Sequence, residues 1–145
     1  MQQQPTIIPG ACHQDQRGKL RYNNDFNSSM VKRIYLIENS AEQPVRGWQG
    51  HRIEQRWFLA TRGAFEIYTI AVDNWEHPSV DLPHFKYMLR QQKPDVLHIP
   101  SGYITAIRSL EPESTLMVMS DYLMGEVNDE YRFLLYHFKD IFTNL

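Results

Sequence analysis

The chain has 145 residues, 15 basic and 17 acidic, with a formal net charge of -2. That is one domain's length, enough to bury its own core, and no basic field is present to hold nucleic acid or an anionic membrane. A composition of 42% hydrophobic and 22% charged residues excludes a disordered chain, the single cysteine Cys12 excludes an internal disulfide, and without a signal-like start or a membrane-length apolar run we expect a soluble cytoplasmic protein.

The first residues, up to about 14, read as a loose arm or an exchanged strand, with a short extended run at Thr6 to Ile8. GKLRYN (Gly18 to Asn23) and VKRIYLIE (Val31 to Glu38) are β-rich and separated by turn residues. Further short runs follow at Ile53 to Ala60, Ala64 to Val72, Phe85 to Arg90, Val96 to Ile99, Tyr103 to Leu110 and Ser114 to Ser120. Each is rich in β-branched or aromatic residues and bounded by Gly, Pro, Asn or Asp, the pattern of a β-sandwich or barrel. Arg62-Gly63 predicts a tight hairpin with a positive φ at Gly63, and Pro100-Ser101-Gly102 repeats the turn signal. Asp73 to Pro83, with its prolines, predicts a surface loop whose Trp75 covers a sheet face. From Asn128 the period changes. Leu134, Phe138, Ile141, Phe142 and Leu145 fall at helical spacing, Asn128 suits an N-cap, and Asp129 and Glu130 suit a first turn, so a helix is expected over 128–143.

The stretch RGWQGHRIEQRWF, Arg46 to Phe58, concentrates the groups capable of chemistry. On a strand Gln49 and His51 share a face, because side chains alternate with period two. His51 is then either a base facing a barrel interior or a strand histidine hydrogen-bonded to Glu54, Tyr35 or a main-chain carbonyl. The remaining histidines, at 13, 77, 84 and 137, lie in polar or loop contexts and receive no role. No Gly-rich phosphate loop, serine-nucleophile motif or basic-aromatic nucleic-acid patch is present.

The order DQRGKL, VKRIYLIE, RGWQGHRIEQ, RGAFEIY, IPSGY and MVMSDYL resembles the bacterial nucleotide-sugar 3,4-ketoisomerases of the WxcM-like group, small cupins related to the dTDP-4-dehydrorhamnose 3,5-epimerases. The resemblance runs from about Asp15 to the end. It implies an all-β jelly roll, a homodimer often built by exchange of N-terminal strands, a thymidine-diphosphate keto-deoxyhexose substrate and a place in deoxysugar or surface-polysaccharide synthesis. The family pattern reads R-G-x-H-x-H, with the base role usually given to its first histidine, and Gln49 stands there. A glutamine has no titratable proton near neutrality and cannot be a general base.

Shifting a ketone to the neighbouring carbon needs a base near neutral pKa and a donor for the developing oxyanion. The expected assignment makes His51 the base and Tyr35 the proton donor, with Arg46, Gln49, Arg56 and Tyr103 lining the substrate pocket and no cofactor. The alternative is a sugar or nucleotide-sugar binding protein without catalysis. Many cupins hold a metal through two histidines, a glutamate and a later histidine. Here only His51 and Glu54 survive of the first cluster, Thr105 stands where the later histidine would be, and His98 is the one other donor in view, so no metal is expected.

Overall fold

The computed structural model describes residues 3–142, and within them every regular element is a strand. One antiparallel sheet orders β1 (Thr6–Ile8), β9 (Val96–Ile99), β6 (Arg56–Arg62), β11 (Thr115–Ser120) and β4 (Arg33–Ile37). The other orders β12 (Tyr131–Arg132), β5 (Val45–His51), β10 (Tyr103–Ser109), β7 (Ala64–Ala71) and β8 (His84–Arg90). A hairpin of β2 (Ala11–Asp15) and β3 (Gly18–Tyr22) stands apart as a third, two-stranded sheet. From β4 onward the chain mostly crosses from one five-stranded sheet to the other. The result is the jelly roll expected for this chain, all-β and cupin-like. The run expected to be a loose or exchanged arm pairs here with its own chain, Thr6 opposite His98 and Ile8 opposite Val96.

The core lies between the sheets. Phe58, Leu97, Ile99, Leu116 and Val118 from the first meet Phe65, Ile67, Leu89 and Ile107 from the second. Period-two alternation sets these faces: along β4, Arg33, Tyr35 and Ile37 turn inward while Ile34 and Leu36 stay exposed. β7 is buried on nearly every residue because both its faces are covered. Its outer face, with Trp48, Ile70 and Ile104, is roofed by Phe138 and Phe142 and by the 73–83 loop, whose Trp75 packs on Tyr131 at 4.8 Å.

Two expectations are corrected. Gly63 has the positive φ, at 73°, but β6 and β7 belong to different sheets, so Arg62-Gly63 turns a corner between layers and makes no hairpin. Gly63 also presses against Ser114, leaving no room for a Cβ. No helix occurs over 128–142, which forms β12 and a series of turns; Leu145 and the other residues of 143–145 lie outside the described residues. Asp140 adopts a left-handed φ of 62°, incompatible with a continuing helix. Leu134, placed on the apolar face by the helical period, is 83% exposed, whereas Phe138 and Phe142 reach Trp48 from irregular backbone. The sheet supplies the apolar surface, so the segment buries its aromatics without a repeating backbone.

Candidate active site

A cavity of about 450 Å³ opens between the sheets, lined by residues of β4, β5, β10 and the 124–132 segment. That volume lies in the range of small-molecule sites. Of the residues singled out from the sequence, Tyr35, Arg46, Gln49, His51 and Arg56 line it together. Tyr103 does not. It faces the same interior as Thr105 on β10, but its ring is buried in the core, and burial together with the neighbouring Tyr87 raises its pKa.

Alternation along β5 puts Gln49 and His51 inward and Trp48 and Gly50 outward. Gly50 is backed so closely by β10 that a Cβ would collide with the Tyr103 carbonyl oxygen and Ile104 Cα. Simple alternation would turn Arg46 away from Gln49. A register shift corrects this: Thr105 pairs with Gln49 but Ile107 pairs with Arg46, so β5 carries an extra residue there and the bulge returns Arg46 to the cavity side.

His51 is buried, and its Nδ1 lies 2.7 Å from the Asp129 carbonyl oxygen and 3.2 Å from Glu54 Oε2. A carbonyl only accepts, so Nδ1 carries the hydrogen and, in the neutral ring, Nε2 keeps its lone pair. Among the described residues Nε2 has no hydrogen-bond partner, and no sealed polar atom goes unpaired, so Nε2 reaches the open cavity. Burial, seconded by the Arg56 charge, lowers the His51 pKa from 6.5 to about 4. Burial also raises the Glu54 pKa, against the opposing pull of Arg33, whose Nη2 is 3.4 Å away. Both directions favour a neutral imidazole beside Glu54 over an ion pair.

Arg33 lies over the Tyr35 ring at 5.3 Å and donates from Nε to the Tyr122 carbonyl. Arg56 is buried over Phe58 at 5.1 Å, its pKa lowered by that burial and supported by the Tyr35 hydroxyl and Glu54. A guanidinium remains charged under such a shift. Gln49 donates to Glu130, which also pairs with Arg132 at 2.7 Å. Asp129 directs its carboxylate at main-chain N–H groups of the 52–54 turn.

Arg33, Asp129 and Glu130 were not singled out as site residues from the sequence. Arg33 was accessible to the alternation argument, being two residues before Tyr35 on one strand. Asp129 and Glu130 had no local signal, since they meet β5 through a pairing about 80 residues apart in sequence. His98, the one further metal donor considered, is on the outer face of its sheet, stacked on Trp57 at 5.2 Å and bonded to Gln55. Among the described residues no three His, Cys, Asp or Glu side chains converge as a metal-binding set.

No curated protein matches the chain by sequence. Among solved structures it is similar to a 3,4-ketoisomerase from Helicobacter canadensis, at 20% identity over 88% of this chain and 90% of that one, TM-score 0.66. It is similar to a histidine-to-asparagine mutant 3,4-ketoisomerase from Thermoanaerobacterium thermosaccharolyticum in complex with TDP-4-keto-6-deoxyglucose, at 18% identity over 91% and 89%, TM-score 0.67. The Mycobacterium tuberculosis rmlC epimerase matches at 15% identity over 88% of this chain and 68% of that one, TM-score 0.68. At these identities the likeness is one of fold. The family model described as FdtA: WxcM-like, C-terminal matches residues 3–137, nearly the whole chain, and the chain belongs to that family.

Proposed function

We propose that the cavity isomerises a nucleotide-linked keto sugar, a dTDP-4-keto-6-deoxyhexose, by acid/base enolisation without a metal. The observation that carries the reading is His51: a neutral imidazole, tied at Nδ1 and open at Nε2, on the wall of a cavity that also holds Tyr35 and Arg56. His51 Nε2 takes the proton from C3, the C–H electron pair forms the C3=C4 bond, and the C4 oxygen takes the charge and a proton from Tyr35. His51 Nε2–H then returns its proton to C4 as the O3 proton passes to the Tyr35 phenolate, so the O3–H pair forms the C3=O bond and both groups regain their starting states. Arg56 and Arg46 supply positive charge for the developing oxyanion and the diphosphate. The family membership and the TDP-sugar ligands of its structural neighbours support this substrate class.

Incubation with dTDP-4-keto-6-deoxyglucose in deuterated water tests the reading: deuterium entering at C3 is the expected result, and its absence with several dTDP-keto sugars would overturn it. A second reading, a nucleotide-sugar binder without catalysis, draws on the low basicity of His51, whose pKa of about 4 lies well below neutrality. Saturable binding without deuterium entry would establish it.

The reading includes a homodimer. β4 is an edge strand presenting Ile34 and Leu36, each 61% exposed, and Leu20 on the separate hairpin is exposed as well. A second copy of the chain packed on this edge would cover these side chains. Light scattering on the eluting protein is expected to give twice the chain mass, and a monomer would refute it.

A further inference from the structure

We propose that Asp129 is a positioning residue that fixes His51 as the Nδ1–H tautomer and thereby makes Nε2 the proton acceptor; this rests on the reading of His51 as the base. Asp129 is buried and holds the histidine from two directions. Its carbonyl oxygen accepts from His51 Nδ1 at 2.7 Å. Its carboxylate accepts from the three successive main-chain N–H groups that follow His51: Arg52 on Oδ1 at 2.9 Å, and Ile53 and Glu54 on Oδ2 at 2.8 and 2.9 Å.

The second acceptor near Nδ1 depends on the same residue. Glu54 Oε2 stands 3.2 Å from Nδ1, and the Glu54 main chain is held by the Asp129 carboxylate. One side chain therefore fixes both groups that keep the hydrogen on Nδ1. The neighbouring pairing of Tyr131 with Gly50 and Arg132 with Gln49 locks the segment against β5, so the Asp129 carbonyl has a defined place opposite the ring. Removing the carboxylate takes the acceptor from all three main-chain donors, that of Glu54 being buried, and frees both acceptors to move. The tautomer of a histidine follows the hydrogen bond at its other nitrogen, so Nε2 would then share the hydrogen and lose its acceptor role.

A turn cap with no role at the ring would change stability alone, so the test reads the ring itself. Nitrogen-15 spectra of histidine-labelled protein, with the His51 signals assigned by their absence in His51→Gln, are expected to show Nδ1–H in the wild type. In Asp129→Ala they are expected to show Nε2–H or exchanging tautomers, with kcat down about tenfold or more and KM little changed. Asp129→Asn, which keeps one acceptor oxygen, should fall between. A folded Asp129→Ala with the wild-type tautomer overturns the proposal, as does a changed tautomer with unchanged kcat. If Asp129→Ala fails to fold, wild-type tautomer and kcat in Asp129→Asn overturn it equally. A wild type without deuterium exchange would refute the enzymatic reading, while the tautomer comparison still decides the role of Asp129.

Discussion

The Gln49 side-chain amide donates to the Glu130 carboxylate at 2.5 Å, joining β5 to the C-terminal segment across the cavity wall. The position where the family motif keeps its first histidine is thus committed to a wall contact, and Glu130 is shared with Arg132. His51 is the imidazole that lines the cavity among the described residues. General acid–base groups contribute about 10²- to 10⁴-fold, so His51→Gln is expected to reduce deuterium exchange at C3 by that amount. Gln49→His should alter it by less than about tenfold, because an imidazole there would face Glu130 and remain paired. The reverse ranking would show that His51 is not the base and that the catalytic position is 49, which carries no base in this chain.

The His51 pKa fixes the pH dependence of the reaction. With a free-enzyme value of about 4, kcat/KM should hold through pH 6.5, where an ordinary histidine would protonate, and fall only as pH approaches 4. Bound diphosphate favours the imidazolium, so the acid limb of kcat should lie at higher pH than that of kcat/KM. Rates of exchange measured across this range check both limbs, and a kcat/KM limb centred near 6.5 would show His51 to be solvated.

Stability follows from the same shift with a definite sign. Between pH 6.5 and about 4 the unfolded chain protonates His51 while the folded chain does not, so acidification through this window costs up to about 3 kcal/mol. Glu54, with its raised pKa, contributes in the opposite sense, gaining on acidification until its unfolded value is passed. Urea midpoints at pH 7 and pH 5 should therefore separate more in the wild type than in His51→Gln. Equal separation would contradict a buried neutral imidazole.

Strand alternation made the shared face of Gln49 and His51 legible, because it depends on neighbours in sequence; that this face lines the cavity depends on the packing of the two sheets. The bulge that returns Arg46 to the cavity was not legible, since it depends on how β5 pairs with β10. Asp129 illustrates the limit well. Beside Asn128 it reads locally as part of a helix start, yet its carboxylate satisfies the N–H groups of a turn 75 to 77 residues earlier. The expected helix start is absent, and the partner of Asp129 was set by tertiary packing. The spacing of Phe138 and Phe142 misled for a similar reason: two aromatics four residues apart fill the surface around Trp48 without requiring helical backbone.

Trp48 is the anchor for that segment. Its ring meets Phe138 at 5.3 Å and Phe142 at 5.9 Å, and its Nε1 donates to the Leu135 carbonyl. Trp48→Ala is expected to cost about 3–5 kcal/mol. Loss of the anchor should also open the 133–142 segment to protease before the rest of the chain, because the turns there are held by these aromatics. An unchanged urea midpoint, or cleavage beginning elsewhere, would show that the segment is held by other contacts.

Arg46 allows ligand binding to be separated from folding. It is exposed at the cavity mouth, brought there by the bulge, and no ion pair to it occurs among the described residues. Substitutions at such positions usually alter stability within about 0.5 kcal/mol. A charge-assisted contact to a phosphate oxygen is worth about 1.5–3 kcal/mol, so Arg46→Ala should weaken dTDP binding by about 10- to 100-fold while leaving the urea midpoint in place. Arg56→Ala supplies the contrast. It removes a buried cation set against Tyr35 and Glu54, so folding and binding should decline together. Titration calorimetry with dTDP beside urea denaturation resolves the two: dTDP affinity unaffected by Arg46→Ala would place the diphosphate away from β5 and leave Arg56 to hold it.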